Sequence, residues 1–410
     1  MCKEVLFILW GDIFKEYSAY ALNFKRYINI LLRKYKCKII IPKVARNWKC
    51  FRIETIQKNK NLGIYNVYYP KKLGIVGNVF YTIAVSMLYF VIRPSIVVLS
   101  VANTFLYPFL YVLFKLKRPK QVIVYMHDPI PETWLARLPY NYNRFIRKMA
   151  YYFGLFVEKI SIHMSDVVLI PCRSMKKIIL KRNFVDKSKK ILLVFNTTGA
   201  VELLRFRHTK ITKRNSTYFS YKPVIIYPTM IQRTIRGIEL ILSTLSKLKS
   251  KDFNPLLLII GEGKKDWIIK LAQKYGVREN IMLYSKLSPE DLAKLYKYSD
   301  FIILPPLEIL LPTKFFESLA FGIIPIVWFK NEDILSILKK VLPSNLIKRI
   351  LYYNSNPEEI RNIIRRLQTN KKSYRKIREL LQRKGKAIII EHHMIGEESF
   401  KRSLNIERDV

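Results

Sequence analysis

Short blocks of apolar, largely β-branched residues recur along this chain, and stretches with helical spacing lie between them. The blocks in the first half are Val5 to Gly11, Cys37 to Lys43, Gly63 to Lys71, Ser95 to Val101, Gln121 to His127, Asp166 to Cys172 and Lys190 to Asn196. The pattern restarts with Pro223 to Tyr227, Pro255 to Gly261, Ile281 to Tyr284, Asp300 to Pro305 and Ile324 to Trp328. Ser18 to Tyr35, Tyr142 to Met164, Gly237 to Lys249, Lys264 to Tyr275 and Thr313 to Phe321 carry the helical period. Strands alternating with helices predict parallel sheets covered on both faces, an α/β architecture. Ligands of such sheets bind beyond the carboxyl ends of the strands.

The alternation breaks once. Residues 205–222, RFRHTKITKRNSTYFSYK, are polar, basic and aperiodic. They read as a linker between two Rossmann-like lobes with a cleft between them. The chain has 410 residues, which suits two domains of about 200 residues. Two helix starts carry their own chemistry. Ser288-Pro-Glu-Asp offers a capping hydroxyl, a first-turn proline and an acid to complete a capping box, and Asn356-Pro-Glu-Glu repeats the device.

Lys and Arg number 73 against 30 Asp and Glu, a net charge of +43. Such a chain meets something anionic: nucleic acid, phosphorylated ligands or an acidic membrane surface. Half the residues are hydrophobic, which excludes global disorder. Cys2, Cys37, Cys50 and Cys172 are scattered and form no CxxC pair, as expected of free thiols in a reducing compartment. The opening MCKEVLFILWGD is too short in apolar core for a signal peptide. Leu73 to Ile92 and Pro94 to Phe114 contain no charge and match a bilayer in length. Pro94, Pro108 and interspersed Asn and Thr favour a buried helix, strand and helix instead. Membrane spans within 73–114 stay open as the alternative.

Several residues could do chemistry at strand ends. His127-Asp128 closes the block Val122 to Met126; a turn-capping histidine is the plainer reading. Arg233 and Arg236-Gly237 precede a helix, where guanidinium groups and a helix N-terminus favour phosphate. Gly261 and Gly263 permit a tight turn and close ligand approach. The strongest cluster is LPPLEILLPTKFFESLAFGIIPIV, which sets Glu308, Lys314 and Glu317 around one strand-to-helix turn. Glu317 lies in too apolar a run for a random surface acid, and sugar or ribose hydroxyls could partner it. A Lys314–Glu317 surface pair is the plainer reading.

IIYPTMIQRTIRGIELIL, LLLIIGEG, ENIMLYSKLSPEDLAKLYKYSDFIILPP and PTKFFESLAFGIIPIV together resemble the donor-binding lobe of glycosyltransferase family 4, whose fold is GT-B. The last piece resembles the family pattern P-x-K-x-x-E-x-L-A-x-G-x-P. In the first half, VIVYMHDPIPETW and ILLVFNTTG fit more weakly, with Asn196 at the family's position near the lobe end. The resemblance implies an acceptor-binding lobe over 1–205, a linker at 206–222 and a donor-binding lobe over 223–390. A helix within 391–410, from about Gly396, is then expected to cross back onto the first lobe.

It further implies retaining transfer of a hexosyl group from a nucleotide-sugar, UDP- or GDP-linked, without a covalent enzyme intermediate, prosthetic group or metal. Glu317 then holds the ribose, Arg233, Arg236 and Lys314 meet the diphosphate, and Gly261 and Gly263 line the donor site. His127 touches the donor from the other lobe as a catalytic group, with Glu308 as a second catalytic candidate. Gly11 and Asp128 fall on the acceptor side. The sequence departs from the family in places. Glu308 lies nine positions before Glu317, not eight, and Tyr227-PTM replaces the usual glycine after the lobe's first strand. The two Arg are more closely spaced than the family's basic pair, and only Gly11 stands for its paired N-terminal glycines.

The implied partners are a glycan or lipid-linked acceptor and an anionic membrane surface. The expected location is cytoplasmic and peripheral, on the inner face of the membrane, because Lys71, Lys72, Arg93, Lys115, Lys117 and Arg118 flank the uncharged runs. A basic nucleic-acid-binding protein is the alternative from another class. No helix-turn-helix, RNA-recognition or zinc signature supports it, so no nucleic acid is expected. His392-His393 near Glu397 and Glu398 has a helical setting and no second cluster beside it, and it does not read as a metal site.

Overall fold

The structure is a computed structural model, and it describes residues 4–9, 19–45, 52–70, 75–101, 106–137, 142–182, 189–208, 222–229, 237–250, 253–263, 265–285, 287–305, 311–352, 354 and 356–404. The chain divides into two compact units. Unit 1 is Met1–Asn196 with Ile395–Val410, and unit 2 is Thr197–Met394.

Unit 1 opens with strand β1 (Glu4–Ile8), helix α1 (Ala19–Leu31), β2 (Lys36–Ala45), β3 (Arg52–Asn59) and β4 (Leu62–Pro70). Helix α2 (Ile75–Ile92), β5 (Ile96–Val101), α3 (Leu106–Leu116), β6 (Gln121–Met126), α4 (Ile130–Arg137) and α5 (Arg144–Met164) follow. It closes with β7 (Val167–Ile170), α6 (Arg173–Lys181) and β8 (Lys190–Leu193). The strands form one sheet in the order β3-β4-β2-β1-β5-β6-β7-β8. All neighbours are parallel except β3 and β4. Leaving β1 toward β2 on one side and reaching β5 on the other makes this a doubly wound sheet.

The two uncharged runs thus become α2, β5 and α3. Tyr81 on α2 donates to the Leu9 carbonyl at 2.7 Å, and Tyr107 on α3 donates to the Ser100 carbonyl at 2.5 Å, so both helices are pinned to the sheet. Among the described residues no helix is long and apolar enough to cross a membrane. On one side of the sheet Phe24 of α1 sits edge-on to Phe7 and Tyr125, at 6.1 and 5.5 Å between centroids. Cys37 and Cys172 are buried and belong to no disulfide, and burial pushes the Cys37 thiol up to about 12.

Unit 2 begins with α7 (Thr198–Leu204) and continues as β9 (Val224–Pro228), α8 (Ile238–Leu248), β10 (Leu256–Ile260), α9 (Asp266–Lys274) and β11 (Ile281–Tyr284). Next come α10 (Pro289–Tyr298), β12 (Phe301–Leu304), α11 (Thr313–Phe321), β13 (Ile324–Trp328), α12 (Glu332–Val341), α13 (Ser344–Ile347) and β14 (Leu351–Tyr352). Two helices are last among the described elements, α14 (Pro357–Thr369) and α15 (Lys371–Ser403). The sheet is parallel throughout, in the order β11-β10-β9-β12-β13-β14. Strands β10 and β12 are buried along their whole length, as in sheets covered on both faces. Ser288 and Asn356 cap α10 and α14 by accepting from the backbone N–H of Asp291 and Glu358.

The two units share a local device. Asp166 accepts from the backbone N–H of Val122 at 2.7 Å, and Asp300 from that of Val224 at 2.8 Å. In each case an Asp just before a strand ties down the start of a neighbouring one.

Two sequence expectations change, and one strand was not expected. Helix α7 packs on α11 and α10, so residues 197–204 belong with unit 2 and not with the first lobe; most of the expected linker lies outside the described residues. The helix expected from about Gly396 is the end of one continuous helix beginning at Lys371. Its residues through Met394 group with unit 2 and the rest with unit 1. In unit 1, Phe400 stacks on Tyr27 with centroids 4.0 Å apart. Strand β3, unforeseen, pairs antiparallel with β4 at the sheet's edge.

Candidate functional site

In unit 2 the strand order reverses direction at β9. Strands β10 and β11 lie to one side, β12 to β14 to the other, so the switch point falls between β9 and β12. Side chains at these carboxyl ends are where a doubly wound sheet meets its ligand.

Helix α8 starts at this point. Gly237 is its N-cap with φ +80°, and a Cβ there would lie 2.3 Å from Cβ of Pro305, just past β12. Only glycine allows both the left-handed backbone and the approach. Helix α11 follows β12 and begins after Pro312. Neither Gly237 nor Pro312 supplies a capping side chain, so both helices present first-turn N–H groups with no cap from these residues.

Lys314 and Glu317 rise from the first turns of α11. Lys314 is 7% exposed, and its Nζ lies 4.0 Å from the centre of the Tyr227 ring at the end of β9. A cation on α11 thereby reaches over the neighbouring strand's end, held against the ring face. Glu317 accepts from the Tyr296 hydroxyl of α10 at 2.5 Å. Tyr296 is buried and stacks on Phe321, centroids 5.4 Å apart. Burial raises the Glu317 carboxyl above the usual carboxylate range; the Tyr296 hydroxyl and the Lys314 charge pull the other way without cancelling it. Tyr296 itself is held far above the usual phenol range by burial and the adjacent carboxylate. The exposed Lys314–Glu317 pair of the plainer reading is not what forms.

Gly261 and Gly263 follow β10, the neighbour of β9. The Gly261 N–H donates to the Tyr284 carbonyl at 3.0 Å, and Gly263 has φ +140°. The structure therefore gathers Lys314 and Glu317 at the switch point with Gly261 and Gly263 one strand away. Arg233, Arg236, Glu308 and Gly11 lie outside the described residues.

Unit 1 has a second cluster, at the carboxyl end of β6. His127 packs edge-on against Tyr125, centroids 4.1 Å apart, and against Phe24 at 6.2 Å. Burial lowers its pKa to about 3, so the imidazole is neutral at physiological pH. Asn196 accepts from both the Tyr125 hydroxyl and the Asn23 amide at 2.6 Å. Asp128, next to His127, is exposed. Sequence reasoning missed Tyr296, Tyr227 as a cation platform, and Asn23. Tyr296 lies 21 residues from Glu317, and nothing in that separation signals the contact. Among the described residues no group of three His, Cys, Asp or Glu side chains is placed to hold a metal.

Residues 209–383 match the family described as glycosyl transferases group 1. No curated protein sequence matches the chain. Solved structures are similar in fold over nearly all of it. A sucrose-phosphate synthase from Thermosynechococcus elongatus has TM-score 0.70 and 13% identity, covering 98% of this chain and 100% of that one. WaaG, a glycosyltransferase involved in lipopolysaccharide biosynthesis, has TM-score 0.65 and 12% identity over 98% and 100%. A trehalose-6-phosphate protein from E. coli, bound with UDP-2-fluoro glucose, has TM-score 0.68 and 11% identity over 99% and 100%. The two parallel-sheet units are those of the GT-B fold. Within that fold, unit 2 carries the glycosyl transferases group 1 match, and together they support a glycosyltransferase.

Proposed function

We propose that this protein transfers a hexosyl group from a nucleotide-sugar, UDP- or GDP-linked, to a glycan or lipid-linked acceptor, with retention of configuration and without a metal. The observation that carries this reading is Lys314 and Glu317 side by side at the β9–β12 switch point, beside two helix N-termini that lack side-chain caps from Gly237 and Pro312. Lys314, with Arg233 and Arg236, neutralises the diphosphate; Glu317 accepts from the ribose hydroxyls. The bond between the anomeric carbon and the phosphate oxygen breaks, and the acceptor oxygen bonds to that carbon on the same face. The acceptor proton passes to the departing phosphate oxygen. Cations and helix N-termini set in advance stabilise the charge that builds on the leaving group. His127, neutral, offers hydrogen bonds to substrate and no charge.

The ligands bound in two neighbouring structures, UDP-2-fluoro glucose in one and UDP and glucose in another, fit this reading. The protein works at the cytoplasmic face of a membrane, peripherally, where a lipid-linked acceptor is presented. A panel of nucleotide-sugars scored by thermal shift tests the donor: the right one raises Tm by mass action, and Glu317→Ala abolishes the shift. A panel without any shift overturns the donor assignment. Transfer that persists in EDTA supports the metal-free reading, and loss restored by magnesium or manganese overturns it.

A further inference from the structure

Unit 1 exposes apolar side chains on three adjacent helices. On α2, Phe80, Ile83, Met87 and Val91 are exposed at i, i+3, i+7 and i+11, with Val91 at 78%. The opposite stripe, Tyr81, Val85 and Leu88, is buried on the sheet. Helix α3 repeats this with Phe109, Val112 and Leu116 outside and Leu110 and Phe114 inside. Helix α5 exposes Phe145, Met149, Tyr152 and Phe156, again one stripe, with Phe145 at 67%. Val157 and Ile162 face inward on α5. A surface helix of a soluble domain normally keeps its apolar stripe inward; these three carry a second apolar stripe outward.

The helices are neighbours. Tyr89 of α2 packs on Phe114 of α3 at 5.2 Å and donates to the Lys117 carbonyl, and α3 packs on α5. The stripes therefore lie side by side on one face. Scattered exposed apolar residues are ordinary, but an extended patch of them marks an interaction surface.

Charge identifies the occupant. Helices α2 and α3 contain no acid, and the one acid of α5, Glu158, is buried and paired with Arg182. Lys115, Arg144, Lys148 and Lys159 are exposed on α3 and α5. An apolar face with basic residues and no exposed acid complements an anionic, partly apolar surface. A second copy would set like charge on like charge in a chain at +43. A protein partner needs about one hydrogen bond per 100–200 Å² of interface, and these stripes offer almost none.

We infer that the α2–α3–α5 face is a docking surface for an anionic lipid bilayer, with the three apolar stripes entering the headgroup region and the basic side chains on the phosphates. This deepens the reading of a lipid-linked acceptor and takes its biological sense from it, but docking is measurable without transfer.

The experiment is co-sedimentation of the full chain with vesicles of phosphatidylcholine alone or mixed with phosphatidylglycerol. Binding is expected only with phosphatidylglycerol, and it should fall as salt screens the charges. The triple variant F145S/M149S/F156S should lose binding at least about tenfold while keeping the wild-type Tm. Lys115→Glu and Lys148→Glu should each weaken it roughly fivefold or more, and Lys371→Glu, on unit 2, should not. No binding to phosphatidylglycerol vesicles at low salt overturns the proposal. So does a triple variant that binds like wild type, or that only converts a dimer to a monomer. A protein that docks but shows no nucleotide-sugar shift would remove the transferase reading and leave this surface standing.

Discussion

The Tyr296 hydroxyl donates to Oε2 of Glu317 across 2.5 Å, joining α10 to the first turns of α11. One carboxylate oxygen is thereby committed inside the protein. Tyr296 is a positioning residue in this reading, because it fixes the direction of the oxygen left for ribose. A hydrogen bond to a charged group contributes about 1.5–3 kcal/mol. Tyr296→Phe should raise the donor KM roughly tenfold or more with a smaller change in kcat. It should also move the acid limb of the kcat/KM profile to higher pH, since the hydroxyl holds the Glu317 pKa down. A merely structural tyrosine would lower Tm and leave that limb in place.

Glu317 has a folded pKa above its ordinary value of 4.5, raised mainly by burial. Its contribution to stability is therefore present below the ordinary value and is lost as pH rises through the folded one. Glu317→Gln keeps the shape and removes the charge. The variant should gain Tm relative to wild type as pH is raised from the acid range toward neutrality, while losing donor affinity. Melting curves across that range check it; a Tm difference independent of pH would contradict the assignment.

Lys314 is held over the Tyr227 ring at 4.0 Å, so its charge is placed before any ligand arrives. Removing one such preorganised group costs about 10²–10³ in kcat. Lys314→Ala should fall in that range, and Lys371→Ala, at the first residue of α15, should stay near wild type. Equal losses would mean that general charge and not placement matters.

Burial of its ring nitrogens holds the His127 pKa down at about 3, well below its ordinary 6.5. A depressed pKa contributes stability above the ordinary value, and that is lost as pH falls toward the folded one. Replacing it with Asn should change the rate but leave the shape of the profile between about pH 5 and 8, where unperturbed imidazoles ionise. A limb near neutrality that disappears in His127→Asn would show a charged, titrating role instead.

Gly237 and Gly276 both have positive φ, at +80° and +67°. Only Gly237 faces a neighbour, the Pro305 ring, while a Cβ on Gly276 meets nothing within 4 Å. Gly276→Ala should cost only the backbone strain, about 1 kcal/mol. Gly237→Ala should lower Tm further and weaken donor binding, because the start of α8 must shift. Equal Tm losses would remove the Pro305 contact from the account.

The strands of both sheets are legible because parallel strands covered on both faces must be apolar along their length, as Leu256 to Ile260 shows. Strand β3 was not legible because it lies at the edge: Ile53 and Ile56 are both exposed, so it has no buried face to print a pattern. The end of α15 was misread because Gly396 looks like a boundary. A helix tolerates glycine where a neighbour approaches, and at Gly385 a Cβ would come within 2.7 Å of the Leu319 carbonyl. At the site, Lys314 and Glu317 could be read because one turn of helix holds them. Tyr296 could not, because its contact depends on how two helices pack. The apolar face of α5 was not legible either, because sequence spacing alone does not say which stripe turns outward.

Helix α15 also sets an order of assembly during synthesis. Every residue of unit 2 has been made once Met394 is added, but unit 1 still lacks the segment that carries Phe400 onto Tyr27. The unit begun first is thus the last to be completed. Until the final turns of α15 emerge from the ribosome, the Tyr27 ring lacks the Phe400 ring that stacks on it.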